Sequence, residues 1–322
     1  MRVVAFGGGH GLGASLRALR RCAQPGTVAG TGDPWEITAV VTVGDNGGSS
    51  GRLREQRGAL PPGDLRQALV ALAAGDPYSA TTAALFQYRF DGADPLSGHP
   101  VGNLVLCGLM EQLGDPVAAL DHAGRMIGAR GRVLPMSPEP VAIEAEVRGA
   151  DPRRPDELVT VRGQHQVAVS TGQVESVRLW PAVPPVCPEV VAAVAAADWL
   201  VFGPGSWYTS VIPHLLVPDL AAAILSSPAR RLIVLNLTND GETVGMTVPD
   251  HVAALAAAAP GLRADLVLGD PDWVTDAKPA RHAAESLGAE LVLAPVAASG
   301  TTAGHDPQAL AAALLPLLAP VR

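Results

Sequence analysis

Short apolar runs alternate with stretches of helical periodicity along most of the chain, and the apolar runs stop at glycines or polar clusters. The first, Met1–Phe6, meets Gly7, Gly8 and Gly9, after which Leu12–Cys22 carries apolar residues at helical spacing. This predicts a strand, a turn and a helix. A Gly/Pro-rich loop, Gln24–Pro34, leads to a second strand, Trp35–Val43, which ends in the polar loop Gly44–Gly51. Pro61, Pro62, Gly63 and Asp64 announce a helix, with Asp64 as its N-cap and Leu65, Leu69 and Leu72 on its buried face. Further helices are predicted over Ser79–Phe90, Val101–Leu113 and Pro116–Ile127.

Between Arg132 and Pro181 the period changes to alternation, and Ala142–Arg148, Leu158–Arg162, Gln166–Ser170 and Val174–Trp180 read as short antiparallel strands. Helices and strands then alternate again: Pro188–Ala197, Trp199–Phe202, a GPGS turn, Arg231–Leu237, Leu266–Leu268, Leu291–Leu293 and the closing helix Pro307–Leu318. The pattern predicts an α/β fold, a Rossmann-like, doubly wound and mostly parallel sheet whose ligands bind beyond the carboxyl ends of the strands. No linker or internal repeat divides the chain, so it reads as a single domain over residues 1–322 with a β-rich insertion at about 132–181.

Composition narrows the functional classes. The 322 residues are 48% hydrophobic and only 17% charged, with 23 Lys plus Arg against 31 Asp plus Glu. A net charge of −8 argues against a nucleic-acid surface, yet backbone amides and a few local arginines can still hold phosphate. No apolar run approaches the roughly 20 residues of a membrane helix. Cys22, Cys107 and Cys187 lie far apart, with no CxxC or Cys/His pairing that would suggest a zinc cage or disulfide frame, and the expectation is a cytoplasmic protein with no membrane partner.

The candidate chemistry sits in the glycine-rich loops. Gly9, Gly11 and Ala14 satisfy GxGxxA between a strand and a helix, where backbone amides can approach a phosphate. An NAD site would want an acidic residue about 20 positions on. Asp33 falls in a Gly/Pro loop and Asp45 comes later than that, so NAD is the less favoured ligand. The second loop, VTVGDNGGSSGRLRE, offers Asp45 as a Mg2+ ligand, the amides of Gly47–Gly51 as an anion nest, and Ser49, Ser50 and Arg52 as phosphate contacts. Arg54 is expected to be solvated or paired with an acidic neighbour. Asp64 and Arg66 open the next helix, and His99, Gly102 and Asn103 precede another. In FGPGSWYTS, the amides and hydroxyls of Gly205, Ser206, Tyr208 and Thr209 can surround a second phosphate or a sugar, and Asn236 begins a polar strand end, NLTNDGET. The fourth loop lacks the GxSxG of a hydrolase.

Taken together, GGGHGLGASLRAL, VTVGDNGGSSGRLRE, LPPGDLRQALVAL, GHPVGNL, ADWLVFGPGSWYTSVIPHLLV, NLTNDGET and DHV resemble the YvcK-like family of gluconeogenesis factors, over Val3 to about Val252. That family is similar in fold to CofD-like 2-phospho-L-lactate transferases, which use a guanylated donor and magnesium. The resemblance implies binding of a UDP-sugar such as UDP-N-acetylglucosamine. It also implies a regulator that links central carbon metabolism to cell-wall precursor supply and cell shape, with an enzyme or cell-wall regulatory protein as partner and a homodimer as its state. Its ligand contacts carry over to Gly8, Gly9, His10, Gly11 and Leu12, to Asp45, Asn46, Gly47, Gly48, Ser49, Ser50 and Arg52, to Asn103, and to Gly203 through Thr209. The alternative it leaves open is a CofD-like phosphoryl-group transferase with Asp45 on Mg2+ and Asp64 or His99 as base. The family's Asp pair here reads Asp45–Asn46, its Thr is His10, and the segment around Asn239, Asp240 and Glu242 departs from its pattern.

Overall fold

The computed structural model describes residues 1–24, 35–151, 153–238, 241–298 and 304–319. Asp33, Asn239 and Asp240 therefore lie outside the described residues.

The first apolar run forms β1 (Arg2–Gly7), and the chain turns at the glycines into α1 (Gly9–Cys22). β2 (Glu36–Val41), α2 (Gly48–Arg57), α3 (Pro62–Leu72), α4 (Pro77–Gln87), α5 (Val101–Leu113), α6 (Pro116–Met126) and β3 (Arg132–Pro135) follow. Next come β4 (Ala142–Arg148), β5 (Leu158–Arg162), α7 (Gln164–Ala168) and β6 (Gln173–Trp180). The second half runs α8 (Pro188–Ala196), β7 (Trp199–Phe202), a π-helical turn at Trp207–Val211, α9 (Pro213–Leu216), α10 (Pro218–Ser226) and β8 (Arg230–Val234). It closes with α11 (Val248–Ala258), β9 (Leu266–Gly269), α12 (Ala277–Ser286), β10 (Glu290–Leu293) and α13 (Pro307–Leu318).

Seven strands form one parallel sheet in the order β10-β9-β8-β7-β1-β2-β3, and β5-β4-β6 form a small antiparallel sheet beside it. The doubly wound, Rossmann-like expectation holds. β1 and β7 are buried along nearly their whole length, and Phe6 stacks on Phe202 with ring centroids 4.8 Å apart. A central parallel strand is covered by helices on both faces, which is why these strands read as unbroken apolar runs rather than alternating ones.

Four details differ from the sequence reading. Arg132–Pro135 belongs to the main sheet, paired in parallel with β2, and its consecutive buried Val133 and Leu134 carry that signature. Gln166–Ser170 is no strand. Val167 is fully buried while Val169 is 60% exposed, so the two do not share a face as strand residues would. Gly163, at φ 98°, turns the chain into α7 instead, and the first-turn amide of His165 donates to Asn46 Oδ1 at 3.0 Å. The nest expected at Gly47–Gly51 is the N-terminus of α2, closed by the Gly51 amide on the Gly47 carbonyl. Asp64 is not an N-cap: Pro61 takes that position, and Asp64 lies inside the first turn of α3 with its side chain buried.

Candidate functional site

The sheet changes direction between β1 and β7. From β1 the strand order runs outward through β2 and β3, and from β7 it runs the opposite way through β8, β9 and β10. The two loops leaving this switch point cannot both fold back over the same helices, so a crevice opens between them, where ligands of such sheets sit. The loops are in close contact. A methyl group on Gly11 would overlap the Pro204 carbonyl and stand 2.7 Å from Gly205 Cα, so the start of α1 can press on the β7 loop only with glycine there. The β7 loop is held from its other side by Asn236, whose Oδ1 accepts from the Gly205 amide and whose Nδ2 donates to the Gly205 carbonyl, both at 2.9 Å. Glu242 accepts from the Tyr208 amide at 2.8 Å, and Thr209 is 1% exposed with no hydrogen-bond partner for its hydroxyl. The π-helical turn that carries Tyr208 and Thr209 is a local geometry often found at functional sites.

Two carboxylates meet on the β2 side of the crevice. Asp45 accepts from the Gly47 amide at 2.9 Å through Oδ1, and its Oδ2 would be 2.9 Å from a Cβ placed on Gly63. Ser50 Oγ accepts from the Gly63 amide at 3.0 Å, so Asp45 and Ser50 both stand against the start of α3. Asp64 is pushed up to about 7, first by burial and then by the charge of Asp45, while the neighbouring Gln164 side chain, Gly9 amide and Thr42 side chain act against the shift. Asp64 thus brings a second carboxylate near Asp45, where the sequence itself continues with Asn46. Two carboxylates and a hydroxyl are hard oxygen donors. No group of three or more His, Cys, Asp or Glu side chains is poised for a metal among the described residues. This set fits Mg2+, which binds through one or two carboxylates plus ligand phosphates rather than in an all-protein cage.

Asn46 itself serves the insertion: it accepts from the His165 amide and donates to Gln166 Oε1 at 2.8 Å. Ser49, His99 and Asn103 form a buried knot in which Ser49 Oγ lies 2.8 Å from His99 Nδ1 and accepts from Asn103 Nδ2 at 2.9 Å. Burial, with Arg52 and Arg89 nearby, pushes the His99 imidazole down. Arg52 donates to the Ser97 carbonyl at 2.8 Å and so ties α2 to the His99 loop. Arg54 is neither solvated nor paired with an acid as expected. It is half-buried and donates to the carbonyls of Val141 (3.0 Å) and Gly44 (3.4 Å).

Three cavities adjoin along the rim. One of about 350 Å3 is lined by His10, Gly11, Pro204, Gly205, Ser206 and His305 among others. It shares Asn236, Leu237 and Thr238 with a second of about 500 Å3, which holds Trp273, Asp276, Met246 and Val248. It shares His10 and Arg17 with a third of about 180 Å3. Asp270, at the end of β9, fixes the Trp273 loop by accepting from the amides of Asp272 (2.9 Å) and Val296 (2.7 Å).

Over residues 3–293 the sequence matches the family described as 2-phospho-L-lactate transferase CofD. The chain belongs to the CofD family. Among its relatives are the gluconeogenesis factors of Halalkalibacterium halodurans, 38% identical over 286 residues (88% of this chain, 81% of that protein), and of Bacillus subtilis, 36% identical over 255 residues (79% and 74%). A Mycobacterium tuberculosis protein that bears the same name provisionally is 49% identical over 318 residues, covering 97% of this chain and 89% of its own. A crystal structure of a UPF0052-family protein from Bacillus halodurans aligns with a TM-score of 0.82 at 33% identity, covering 98% of each chain.

Of the residues expected to contact phosphate or sugar, His10 and Gly11 lie beside Gly205, Ser206 and Asn236 at the β1/β7 crevice. Gly8 has no room for a side chain between Thr42 and Asp64, which joins the first loop to the carboxylates. Ser49, in the first turn of α2, is buried in the knot with His99 and Asn103, while Arg66 on α3 lines the third cavity. Thr42, Gln164, Arg17, Arg89 and Trp273 were missed. Arg17 repeats the face of His10 after seven residues, two helical turns, and Trp273 follows the end of β9, so helical spacing and the carboxyl-end rule could have found both. No helix among the described residues of this CofD-family chain is long and apolar enough to cross a membrane.

Proposed function

We propose that this gluconeogenesis-factor relative binds a nucleotide sugar of the UDP-N-acetylglucosamine type across the β1/β7 crevice. In this reading it is a cytoplasmic regulator that couples central carbon metabolism to cell-wall precursor supply and cell shape by acting on a protein partner, as a homodimer. The observation that carries the ligand is the junction of the two glycine loops with the Trp273 cavity through Asn236, Leu237 and Thr238. The first supplies amides for a diphosphate at the positive end of α1, and the second supplies an apolar, aromatic wall for a base or sugar. The test is a thermal-shift series with UDP-N-acetylglucosamine, UDP, GDP and NAD, each with and without Mg2+, followed by tryptophan fluorescence. UDP-N-acetylglucosamine should raise the unfolding temperature most, and quench emission in the wild type but not in Trp273→Phe. No shift with any nucleotide sinks the reading.

The pairing of Asp45 with Asp64 favours a second reading, a CofD-like transferase. Bound at Asp45 and the ligand phosphates, Mg2+ would neutralise charge on a diphosphate donor. Asp64, with its affinity for a proton raised to about 7, suits removal of the proton from an acceptor hydroxyl at the donor phosphorus, and the amides at the start of α1 suit the charge that grows on the phosphoryl oxygens. Turnover of a guanylated phospholactyl donor with a deazaflavin acceptor, lost in Asp64→Asn, distinguishes this reading from the regulator.

A further inference from the structure

The third cavity is built from arginines. Arg17 reaches it from α1, Arg66 from α3 and Arg89 from just beyond α4, with His10 at the mouth it shares with the glycine-loop cavity. Among the described residues none of these three guanidinium groups forms an ion pair. Arg66 is 4% exposed. It donates through Nη1 to Gln87 Oε1, and its Nε has no hydrogen-bond partner. Burial pushes the Arg17 guanidinium down. Clustered cations, one of them desolvated with a donor unmet, are a costly arrangement unless an anion completes it.

We propose that this pocket binds the phosphate group of a compact metabolite, separately from whatever fills the glycine-loop cavity. Arg89 donates through Nη1 to the Gly98 carbonyl at 2.8 Å, and the donors that remain on Arg17, Arg66 and Arg89, brought to one pocket by three elements, match the three oxygens of a phosphate dianion better than the two of a carboxylate. The volume of about 180 Å3 admits a phosphate with a few more atoms and excludes a nucleoside. The shared wall at His10 and Arg17 puts this second ligand beside the first, so occupancy of one alters the electrostatic field at the other.

The experiment is calorimetric titration of the full chain with glycerol phosphate, inorganic phosphate and acetate, with and without saturating UDP-N-acetylglucosamine. Glycerol phosphate is expected to bind in both conditions and to weaken as salt is raised. Inorganic phosphate binding equally well marks free phosphate as the natural ligand, and weaker binding marks an ester. Acetate should bind roughly tenfold or more weakly. Arg17→Gln and Arg89→Gln should each weaken the phosphate ligand roughly tenfold or more, with unfolding temperatures within about 2 °C of the wild type. Phosphate displaced by the nucleotide sugar, or unchanged in both variants, overturns the proposal. If the nucleotide sugar fails to bind while glycerol phosphate binds through Arg17 and Arg89, the nucleotide reading falls and the arginine pocket stands.

Discussion

Gly11 and Pro204 touch across the crevice so closely that the α-hydrogen of the glycine is all that fits beneath the proline carbonyl. Gly11→Ala is therefore expected to cost roughly 1–3 kcal/mol, the usual price of overpacking, and to remove the nucleotide-induced thermal shift. Gly13→Ala on the same helix is the control. Its Cβ would meet only the end of the Arg17 side chain at 3.4 Å, so stability should stay within about 1 kcal/mol of the wild type and can rise through helix propensity. Equal losses in both variants, read by urea denaturation, would remove the close approach as the reason for glycine at position 11.

Asn236 holds Gly205 by both its amide and its carbonyl. Asn236→Asp replaces the donor with a charged acceptor facing the Gly205 carbonyl. The expected result is a loss of roughly 1–3 kcal/mol and weaker nucleotide binding, while Asn236→Gln recovers part of neither because the longer side chain overshoots the loop. Titration calorimetry on both variants checks this.

Asp64 is a charge that the fold resists. Its folded value of about 7 lies above the unfolded 3.8, so the folded state prefers the protonated form and stability falls as pH rises from about 4 through 7. In Mg2+-free buffer Asp64→Asn should raise the unfolding temperature at pH 8, with the gain shrinking towards pH 5. Asp45→Asn, by contrast, should abolish any enhancement of nucleotide binding by Mg2+. A gain independent of pH would dissociate the effect from the carboxylate.

His214 shifts the other way. It is completely buried, beside the Phe6 ring and the carbonyls of Val40 and Val211, and burial pushes it down to about 4. Above pH 6.5 it is neutral in both states and contributes no pH dependence. Between 6.5 and 4 the unfolded chain takes up a proton that the folded chain refuses, so about 3 kcal/mol of stability is lost over that interval. Urea midpoints across pH 7 to 4 should show this loss, and His214→Gln should flatten the curve.

The strands and their glycine stops were legible because central parallel strands need continuous apolar residues, as in VVAF and WLVF, and no other local arrangement ends such runs on so many glycines. α2 was not legible. Gly-Ser-Ser-Gly is poor helix material, and what holds it is tertiary: Ser49 on His99 and Asn103, Ser50 on the Gly63 amide, and Arg52 on Ser97. α7 was misread for the same reason, since its first-turn amide is satisfied by Asn46 from 119 residues away. The pairing of Asp45 with Asp64 and the meeting of Arg17, Arg66 and Arg89 join different elements, and linear spacing carries no trace of such meetings.

The strand order has a consequence for how the molecule comes into being. β1 and β7 are hydrogen-bonded neighbours, yet Phe6 and its partner Phe202 are separated by most of the first half of the chain and all of the insertion. The crevice is a seam between an early and a late portion of the polypeptide, and it does not exist until both have been made and joined. A ligand lying along it fastens the two portions to each other, so its binding energy acts where the fold has no covalent continuity.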